Sequence, residues 1–339
     1  MERGAPIAGL QIFSTCPPPS FVSPGDYLER VRSVARRTEE AGCEGLLVPT
    51  DHGLVDPWLV SQVVVESSER LAPLIAVQTA SMHPYSVARM VSSFAYLHGR
   101  RVHLSIEPGS MSGDAALDDE TSEPECAGRL IEYVSILQGL LHSPDALAFE
   151  GRYYRVRGLG PRPSVPPSLA PRLFLSGASP GTVDAASRLG MTVIDYPRPT
   201  CGCGAVAGAA ARAVSLGIIA RDSESDAWRT ARARFPEGSE GESSPPLPIE
   251  VSQSSWRRQL TEHLPVGVAA AQPYWRVPFE RDRLLCPYLV GSYDRVADEV
   301  ARYVEAGCRT FIIDVPAAPE ELEHIGEVFE RAVCAFAVG

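Results

Sequence analysis

The chain has 339 residues, 45% hydrophobic and 22% charged, which is enough apolar material for one large domain or two ordinary ones. Its formal net charge of −11 argues against nucleic acid as a partner, because phosphate binding needs a basic surface. All 31 basic residues are arginine. The lack of lysine excludes a Schiff-base lysine, a pyridoxal phosphate anchor and a phosphate-binding P-loop, since each uses an ε-amino group.

The N-terminal sequence MERGAPIAGLQIF has no basic flank followed by a long apolar run, and no segment approaches the length of uninterrupted apolar sequence that spans a bilayer. We therefore expect neither a signal peptide nor a membrane span, and we expect a cytoplasmic protein. The eight cysteines include no CxxC pair. Free thiols are expected rather than a disulfide framework or a zinc site.

A single local pattern recurs along the chain. A polar-faced helix ends at Gly and a short apolar run follows at once, as in RRTEEAGCEGLLV, AASRLGMTVI and RYVEAGCRTFIID. Such a run is typical of a parallel strand buried on both faces. The pattern predicts strands at 7–13, 45–48, 74–79, 102–106, 173–176, 192–194, 217–220 and 310–314. Helices are predicted at 24–41, 57–70, 84–98, 127–141, 181–189, 203–215, 224–234, 292–306 and 318–336.

Eight strands alternating with helices predict an α/β fold, a (β/α)8 TIM barrel in which residues 1–339 form one domain. A doubly wound open sheet is the alternative. Two stretches are longer than a bare barrel needs, the Pro- and Arg-rich connection 149–172 and the segment 235–290. Because connections of that length usually form lids or are disordered, we expect both insertions on the C-terminal face, with 235–290 as a lid.

In such a barrel the chemistry belongs to the carboxyl ends of the strands, and two histidines follow predicted strands there. His52 and His83 are candidates to protonate or stabilise a reacting group, because imidazole titrates near neutral pH. For His83 the alternative is a helix cap before Pro84, and for His52 it is a solvated loop position. Asp56, Pro57 and Trp58 are expected to start and pack the second helix.

The sequence LSGASPGT changes from an apolar strand to small residues directly before a predicted helix. Unpaired N–H groups and the dipole at a helix N-terminus attract an anion such as a phosphate. Ser176, Gly177 and Ser179 are the candidates for that contact. The alternative is a tight turn that Ser or Thr caps.

Two further groups have both a functional and a structural interpretation. Aromatic side chains near the predicted lid either wall a dry pocket or belong to the core; they are Tyr274, Trp275, Tyr288 and Tyr293. Arginines in the connection 149–172 either recognise an anionic substrate or a phosphopantetheine-bearing partner, or form a solvated basic face. These are Arg152, Arg155 and Arg157.

Longer motifs make the chain resemble a known family over nearly its whole length. They are TDHGLVDPWLV, HPYSVARMVSSFAYLHGRRVHLSI, FEGRYYRV, LFLSGASPGTVDAASRLG and CPYLVGSYDRVADEVARYVEAGCRTFIIDVP. Together they resemble the bacterial luciferase-like, flavin-dependent monooxygenases. The layout is similar to that of the alkanesulfonate monooxygenase branch, and more similar to members that accompany secondary-metabolite biosynthesis.

The resemblance implies a TIM barrel that binds reduced FMN, supplied by a separate flavin reductase, and that uses O2 to oxygenate a small-molecule or carrier-protein-bound substrate. It also implies pairing, either as a homodimer or as a heterodimer with a homologue. The implied catalytic residues are His52 and His83, and no metal site is expected. The implied cofactor-binding residues are Gln78, Thr79, Ser105, Glu107, Ser176, Gly177, Ala178 and Ser179.

Departures from the family lie at the active face. Where sulfonate-cleaving relatives carry Cys, Arg-x-His and Tyr, this chain has Leu54, then Ser215 with Gly217, then Pro316. Sulfonate cleavage is therefore not expected.

The fourth strand shows another departure. Where relatives end it in Asn and a Gly-rich turn with a basic residue, this chain has Ser105 and Glu107, followed by six carboxylates in an acidic loop at 107–125. A carboxylate about 6 Å from a phosphate costs on the order of 1–3 kcal/mol, which would weaken flavin binding.

Two alternative functions follow. The first is a non-catalytic luciferase-like subunit, with weakened or lost flavin binding, that pairs with a homologous chain or an assembly-line protein. The second is a metal-dependent barrel enzyme using His52, Asp56, His83, Glu107 and Asp314, although no HxH or HExxH pattern supports it.

Overall fold

The computed structural model describes residues 9–19, 23–50, 54–108, 123–143, 145–160, 163–177, 179–197, 210–236, 273–276 and 286–338. Within these ranges lie twelve strands and eight helices. The strands are β1 (Gln11–Thr15), β2 (Gly45–Val48), β3 (Ala72–Gln78), β4 (His103–Glu107), β5 (Leu147–Glu150), β6 (Arg155–Leu159), β7 (Leu173–Leu175), β8 (Thr192–Asp195), β9 (Arg212–Arg221), β10 (Tyr274–Trp275), β11 (Tyr288–Ser292) and β12 (Thr310–Ile313). The helices are α1 (Pro24–Glu40), α2 (Pro57–Glu66), α3 (Pro84–His98), α4 (Glu123–His142), α5 (Pro180–Arg188), α6 (Glu224–Arg234), α7 (Tyr293–Glu305) and α8 (Pro319–Val338).

Eight parallel strands close into a barrel in the order β12, β1, β2, β3, β4, β7, β8 and β9, and β9 pairs back onto β12. These are the eight strands that the sequence predicts, with ends that differ by a few residues. The prediction of a (β/α)8 barrel is confirmed. The open sheet is excluded, because the β8–β9 and β9–β12 ladders close the ring.

Polar caps start the helices at the predicted places. At the start of α2 the Asp56 carboxylate accepts the N–H groups of Trp58 at 2.9 Å and Leu59 at 3.3 Å. Pro57 suits the first helical position because its missing N–H is not needed there. The Trp58 side chain is 4% exposed, so this segment starts and packs α2 as predicted.

One predicted helix is wrong over its described part. Residues 212–215 of the predicted helix 203–215 belong to strand β9, and residues 203–209 lie outside the described residues. The sequence AAARAVSLG has the alanines and the arginine of a good helix former. Its residues from 214 to 220 are buried on both faces between parallel neighbours, so tertiary burial overrides this local propensity.

The insertions add strands that the sequence pattern does not predict. Strands β5 and β6 form an antiparallel hairpin that begins two residues before the connection 149–172 and continues into it. Strand β11 pairs in parallel with residues 217–221 of β9, and the short β10 pairs with β11. Residues 109–122 of the acidic loop, and 237–272 and 277–285 of the predicted lid, lie outside the described residues. The lid and the single-domain boundary stay predictions.

An apolar layer fills the middle of the barrel. We call it the floor; its buried members are Phe13, Leu74, Phe174, Ile194, Ala213 and Ile312. Edge-to-face contact of the Phe13 and Phe174 rings, with centroids 6.0 Å apart, packs its centre. The floor separates the amino end of the barrel from the carboxyl end.

A polar network occupies the amino end, beneath the floor. The Arg172 N–H donates to His103 Nδ1 at 3.1 Å, and its guanidinium donates to Gln11 and lies 3.3 Å from Glu44. Thr310 donates to the same Gln11 oxygen at 3.3 Å. These contacts join residues at the starts of β1, β4 and β12 with Arg172 and Glu44, which directly precede β7 and β2. They therefore tie distant parts of the chain together.

The six cysteines in the described ranges, Cys16, Cys43, Cys126, Cys286, Cys308 and Cys334, are free thiols. Across the same part of the chain, no helix is long and apolar enough to cross a membrane.

Candidate active site

The floor fixes which side chains face the barrel interior above it. Side chains alternate along a strand, so the residues two positions beyond Phe174 and Ile312, Ser176 and Asp314, also point inward. His103, at the amino end of β4, contacts the rings of Phe13 and Phe174, so its side chain points inward. Ser105 and Glu107, two and four positions later on the same strand, therefore also point inward. We call the space above the floor the upper lumen; its walls carry Thr15, Ala76, Gln78, Ser105, Glu107, Ser176, Ser215, Gly217 and Asp314.

The upper lumen differs from the floor in side-chain size. Large rings and aliphatic chains fill the floor, whereas Ala76, Ser105 and Ser215 line the wall above it. Ala76 and Ser105 are direct partners in the β3–β4 ladder. Small and polar side chains above an apolar base are the composition of a cofactor site.

The ends of β3 and β4 bring four predicted cofactor residues together. Gln78 is the ladder partner of Glu107, and the Thr79 N–H donates to the Glu107 carbonyl at 3.1 Å. Ser105 lies two residues before Glu107 on the same wall. Thr79 is 3% exposed, and its Oγ1 has no hydrogen-bond partner among the described residues. A buried hydroxyl without a partner is costly, so this atom fits contact with a ligand. Cofactor binding by these four residues stays a prediction.

His83 caps helix α3. Its Nδ1 accepts the Tyr85 N–H at 3.1 Å, which is the structural alternative that the sequence left open. The exposed ring leaves Nε2 as a hydrogen donor and meets the edge of the Tyr154 ring at 5.6 Å. A catalytic role for His83 stays a prediction, and His52 lies outside the described residues.

The N-terminus of α5 is closed by a capping box. The Ser179 N–H donates to Thr182 Oγ1 at 2.7 Å, and the Thr182 N–H donates to Ser179 Oγ at 3.4 Å. Pro180 has no N–H to offer. An anion at this turn would therefore depend on Ser176, Gly177 and the Gly181 N–H, and less on Ser179. Ala178 lies outside the described residues.

A buried cluster at the carboxyl end of β12 was only partly visible in the sequence. The Tyr288 hydroxyl donates to Asp314 Oδ2 at 2.5 Å, and both side chains are buried. Gly217 makes room for this phenol, since a Cβ there would lie 2.3 Å from the Tyr288 ring. The guanidinium of Arg234 lies 5.4 Å from the centre of the same ring. A glycine inside a predicted strand was the available signal, because it marks close approach of another group.

Burial controls the charge of this cluster. It raises the pKa of Asp314, although the bond from Tyr288 and the charge of Arg234 oppose the shift. Burial, followed by the charge of Asp314, raises the pKa values of Tyr288 and Cys286. The thiol and the phenol therefore stay protonated at neutral pH, and Asp314 takes up a proton more readily than an exposed aspartate.

Glu107 brings a carboxylate to the mouth of the upper lumen. Burial raises the pKa of Tyr196, and nearby acidic groups, including Glu107 and Asp195, raise it further. The acidic residue at the end of β4 therefore acts on a residue inside the barrel. A carboxylate at this place disfavours an anionic ligand close to it.

The remaining aromatic and arginine candidates have separate places. Trp275 packs on Trp228 with ring centres 5.7 Å apart, which is a core role. The Tyr274 hydroxyl donates to Glu299 at 2.5 Å, and the Tyr293 hydroxyl lies 2.5 Å from Nδ1 of His324. On the surface, Arg152 pairs with Glu125 and Arg155 with Glu150, both at 2.9 Å, and Arg157 is exposed. Tyr288 is therefore the predicted aromatic that this structure brings next to an inner-wall residue.

A metal centre has no support in the described residues. No group of three or more His, Cys, Asp or Glu side chains is arranged there to hold an ion. Asp56 and His83, two of the ligands of the metal alternative, cap helices instead.

Comparison with known proteins identifies the family. The model for luciferase-like monooxygenases matches residues 10–200. The 4-(gamma-L-glutamylamino)butanoyl-(BtrI acyl-carrier protein) monooxygenase BtrO of Niallia circulans is 30% identical over 316 residues, covering 90% of this chain and 92% of that protein.

Solved structures share the fold at low identity. EDTA monooxygenase (EmoA) from Chelativorans sp. BNC1 has a TM-score of 0.68 at 16% identity, covering 97% of this chain and 95% of its own. Riboflavin lyase RcaE, solved with modified FMN and riboflavin, has a TM-score of 0.70 at 16% identity, with 97% and 91% covered. Because the family model spans more than half of the chain and BtrO aligns with nine-tenths of it, this protein belongs to the luciferase-like monooxygenases, which use a reduced flavin or F420.

Proposed function

We propose that the protein is a two-component monooxygenase that takes reduced FMN from a flavin reductase and oxygenates an acyl group held on a carrier protein. The observation that supports it is the upper lumen, where small and polar side chains line the wall above a closed apolar floor. The carrier-bound substrate is suggested by the likeness to BtrO, whose name gives an acyl group on the BtrI acyl-carrier protein as its substrate.

The residues of the upper lumen fit a flavin. Gln78 and Ser105 would contact the ring system, since they lie on the inner wall of neighbouring strands. Thr79, directly after β3, would meet the ligand at the rim, and its hydroxyl lacks a partner among the described residues. Ser176 and Gly177 would lie towards the phosphate. When bound, reduced FMN would supply the two electrons needed for one atom of O2 to enter the substrate and the other to leave as water.

The chain's own residues then have two tasks here, to exclude water and to supply a proton. The floor excludes water beneath the ligand, which protects an oxygen-reactive site. Asp314 holds a proton more readily than an exposed aspartate, and the Tyr288 hydroxyl on its Oδ2 keeps the carboxyl in one orientation. We assign this pair to the proton that accompanies the oxygen atom released as water.

His52 and His83 are proposed to stabilise or protonate the reacting oxygen. Changing His52 to Ala should then allow reduced flavin to be oxidised without product. The ratio of product formed to flavin oxidised measures this, and a ratio equal to that of the wild type would remove His52 from the site.

The experiment that tests the function combines the protein with FMN, a flavin reductase, NADH and a carrier protein loaded with a 4-(gamma-L-glutamylamino)butanoyl group. We expect the intact mass of the loaded carrier to gain one oxygen atom, carrying the label when isotopically labelled O2 is supplied. The same acyl group on free pantetheine is the control for carrier dependence. Flavin oxidation with no oxygen transferred to either thioester would contradict the proposal.

One observation favours a second candidate, a barrel that pairs with a homologous chain or an assembly-line protein and has lost its flavin. Glu107 faces the upper lumen and influences Tyr196 inside the barrel. Absence of reduced-FMN binding, together with stoichiometric co-purification with a homologue, would favour this candidate over the enzyme.

A further inference from the structure

The loop from β3 to α3, residues 79–83, is held from outside the barrel by two tyrosines. Tyr133 of α4 donates its hydroxyl to the Met82 carbonyl at 2.9 Å. Tyr154, at the turn of the β5–β6 hairpin, donates its hydroxyl to the Thr79 carbonyl at 3.2 Å. The two bonds thus fix both ends of the loop.

Ring contacts join the same residues into one unit. The Tyr133 and Tyr154 rings meet edge to face with centres 5.7 Å apart, and Tyr154 meets the His83 ring in the same way at 5.6 Å. Tyr133 is fully buried, so the series runs from the core to the exposed histidine. Edge-to-face pairs resist sliding, because their preferred geometry is specific.

Glu132 fixes the hairpin that carries Tyr154. Its carboxylate accepts the backbone N–H groups of Arg152, Tyr153 and Tyr154 at 2.7, 2.8 and 3.0 Å. Hydrogen bonds to an ionised acceptor are stronger than neutral ones. Gly151 permits this approach, since a Cβ there would lie 2.3 Å from a Glu132 oxygen.

We propose that Glu132, Tyr133 and Tyr154, the tyrosine clamp, are positioning residues that hold the loop 79–83 in the conformation that receives the cofactor. This rests on the proposed function, in which Thr79 contacts the flavin. Packing alone would need only the rings, yet both hydroxyls reach carbonyls of this one loop. The hairpin is thus part of the active site although it lies outside the barrel.

Tyr154→Phe tests the clamp, because it removes one hydroxyl and keeps the ring. Tyr153→Phe is the matched control, since the neighbouring Tyr153 packs against α4 at Gly128 and makes no hydrogen bond to the loop. Two quantities are measured: hydrogen exchange of a peptide covering 79–86, without flavin, and the dissociation constant for reduced FMN under anaerobic conditions.

We expect Tyr154→Phe to speed exchange of the loop peptide and to weaken reduced-FMN binding, each by about five-fold, the effect of one lost hydrogen bond. Tyr153→Phe should match the wild type in both. Glu132→Gln retains one acceptor oxygen and should change both quantities less than Glu132→Ala.

Equal loop exchange and equal affinity in Tyr154→Phe, Tyr153→Phe and the wild type would overturn the clamp. Faster exchange with unchanged affinity would overturn its link to the cofactor. A wild type that binds no reduced FMN would instead refute the proposed function, and the exchange data would still report whether the loop is held.

Discussion

The two ends of the barrel use polar residues differently. At the amino end, Arg172 bonds to Gln11, Glu44 and His103 in one network beneath the floor. At the carboxyl end the inner wall carries short side chains such as Ser105 and Ser215, and a long loop or insertion follows several strands. Polar groups that are paired within the chain hold strands together, whereas a wall of small polar side chains offers its surface to a ligand. The first end therefore serves stability and the second serves chemistry.

The largest expected effect on stability comes from a substitution in the floor, which separates the two ends of the barrel. Phe174→Ala removes a fully buried ring from the floor and should lower the free energy of unfolding by about 3–5 kcal/mol. Denaturant titration measures the loss. Leu159→Ala, on the exposed side of the hairpin, should change it by less than about 0.5 kcal/mol. Equal losses in the two variants would mean that the floor is not the core of the barrel.

The amino end is tested by Arg172→Ala. Loss of its bonds to Gln11, Glu44 and His103 should lower the free energy of unfolding by about 1–3 kcal/mol. Arg155→Ala removes an exposed pair and should cost at most about 1 kcal/mol. Reduced-FMN affinity should be unchanged by both, and a large loss of affinity in folded Arg172→Ala would show that the two ends are not independent.

The stability of the protein should also depend on pH, and at the amino end of the barrel this dependence comes from His103. Burial, opposed by the Glu44 carboxylate 3.9 Å from Nε2, lowers the pKa of His103 below its ordinary value. The folded state then binds fewer protons than the unfolded state, so stability is lost as the pH falls below about 6.5. We expect His103→Gln to flatten this part of the stability curve. His142→Gln, on the exposed end of α4, gives the background, and an equal change in it would contradict the assignment to His103.

At the carboxyl end, stability should change with pH in the opposite direction and by a smaller amount. Burial raises the pKa of Asp314, so the folded state keeps a proton that the unfolded state has released. Stability contributed by the neutral carboxyl is then lost as the pH rises from about 4 through the raised pKa. Asp314→Asn should gain stability relative to the wild type over that range, while Asp184→Asn on the surface of α5 reports the background. If the stability advantage of Asp314→Asn over the wild type instead grew as the pH fell, the sign would be reversed and the assignment to Asp314 refuted.

Sequence patterns predicted the barrel because its signal is local. A Gly stop followed by an apolar run marks each strand, and the rule that parallel strands share one active edge places Gln78, Ser105 and Glu107 together. The same local rules failed at 212–215, where burial between neighbours decides the structure. Insertions were located but their internal strands were not.

Contacts between residues far apart in the chain could not be predicted from the sequence. Tyr288 meets Asp314 across 26 positions, and Glu132 meets the hairpin turn about 20 positions away. Each depends on a glycine whose missing Cβ admits the partner, Gly217 in one case and Gly151 in the other. A glycine inside a strand or turn indicates that something approaches closely, but not which residue does so.

The most direct test of the carboxyl end as the flavin site is an anaerobic titration with reduced FMN of the wild type, Glu107→Gln and Arg172→Ala. We expect saturable binding in the micromolar range by the wild type, tighter binding by Glu107→Gln because a carboxylate is removed from the mouth of the upper lumen, and unchanged binding by Arg172→Ala. No binding by the wild type, with binding gained in Glu107→Gln, would contradict this expectation and indicate a barrel that has given up its flavin.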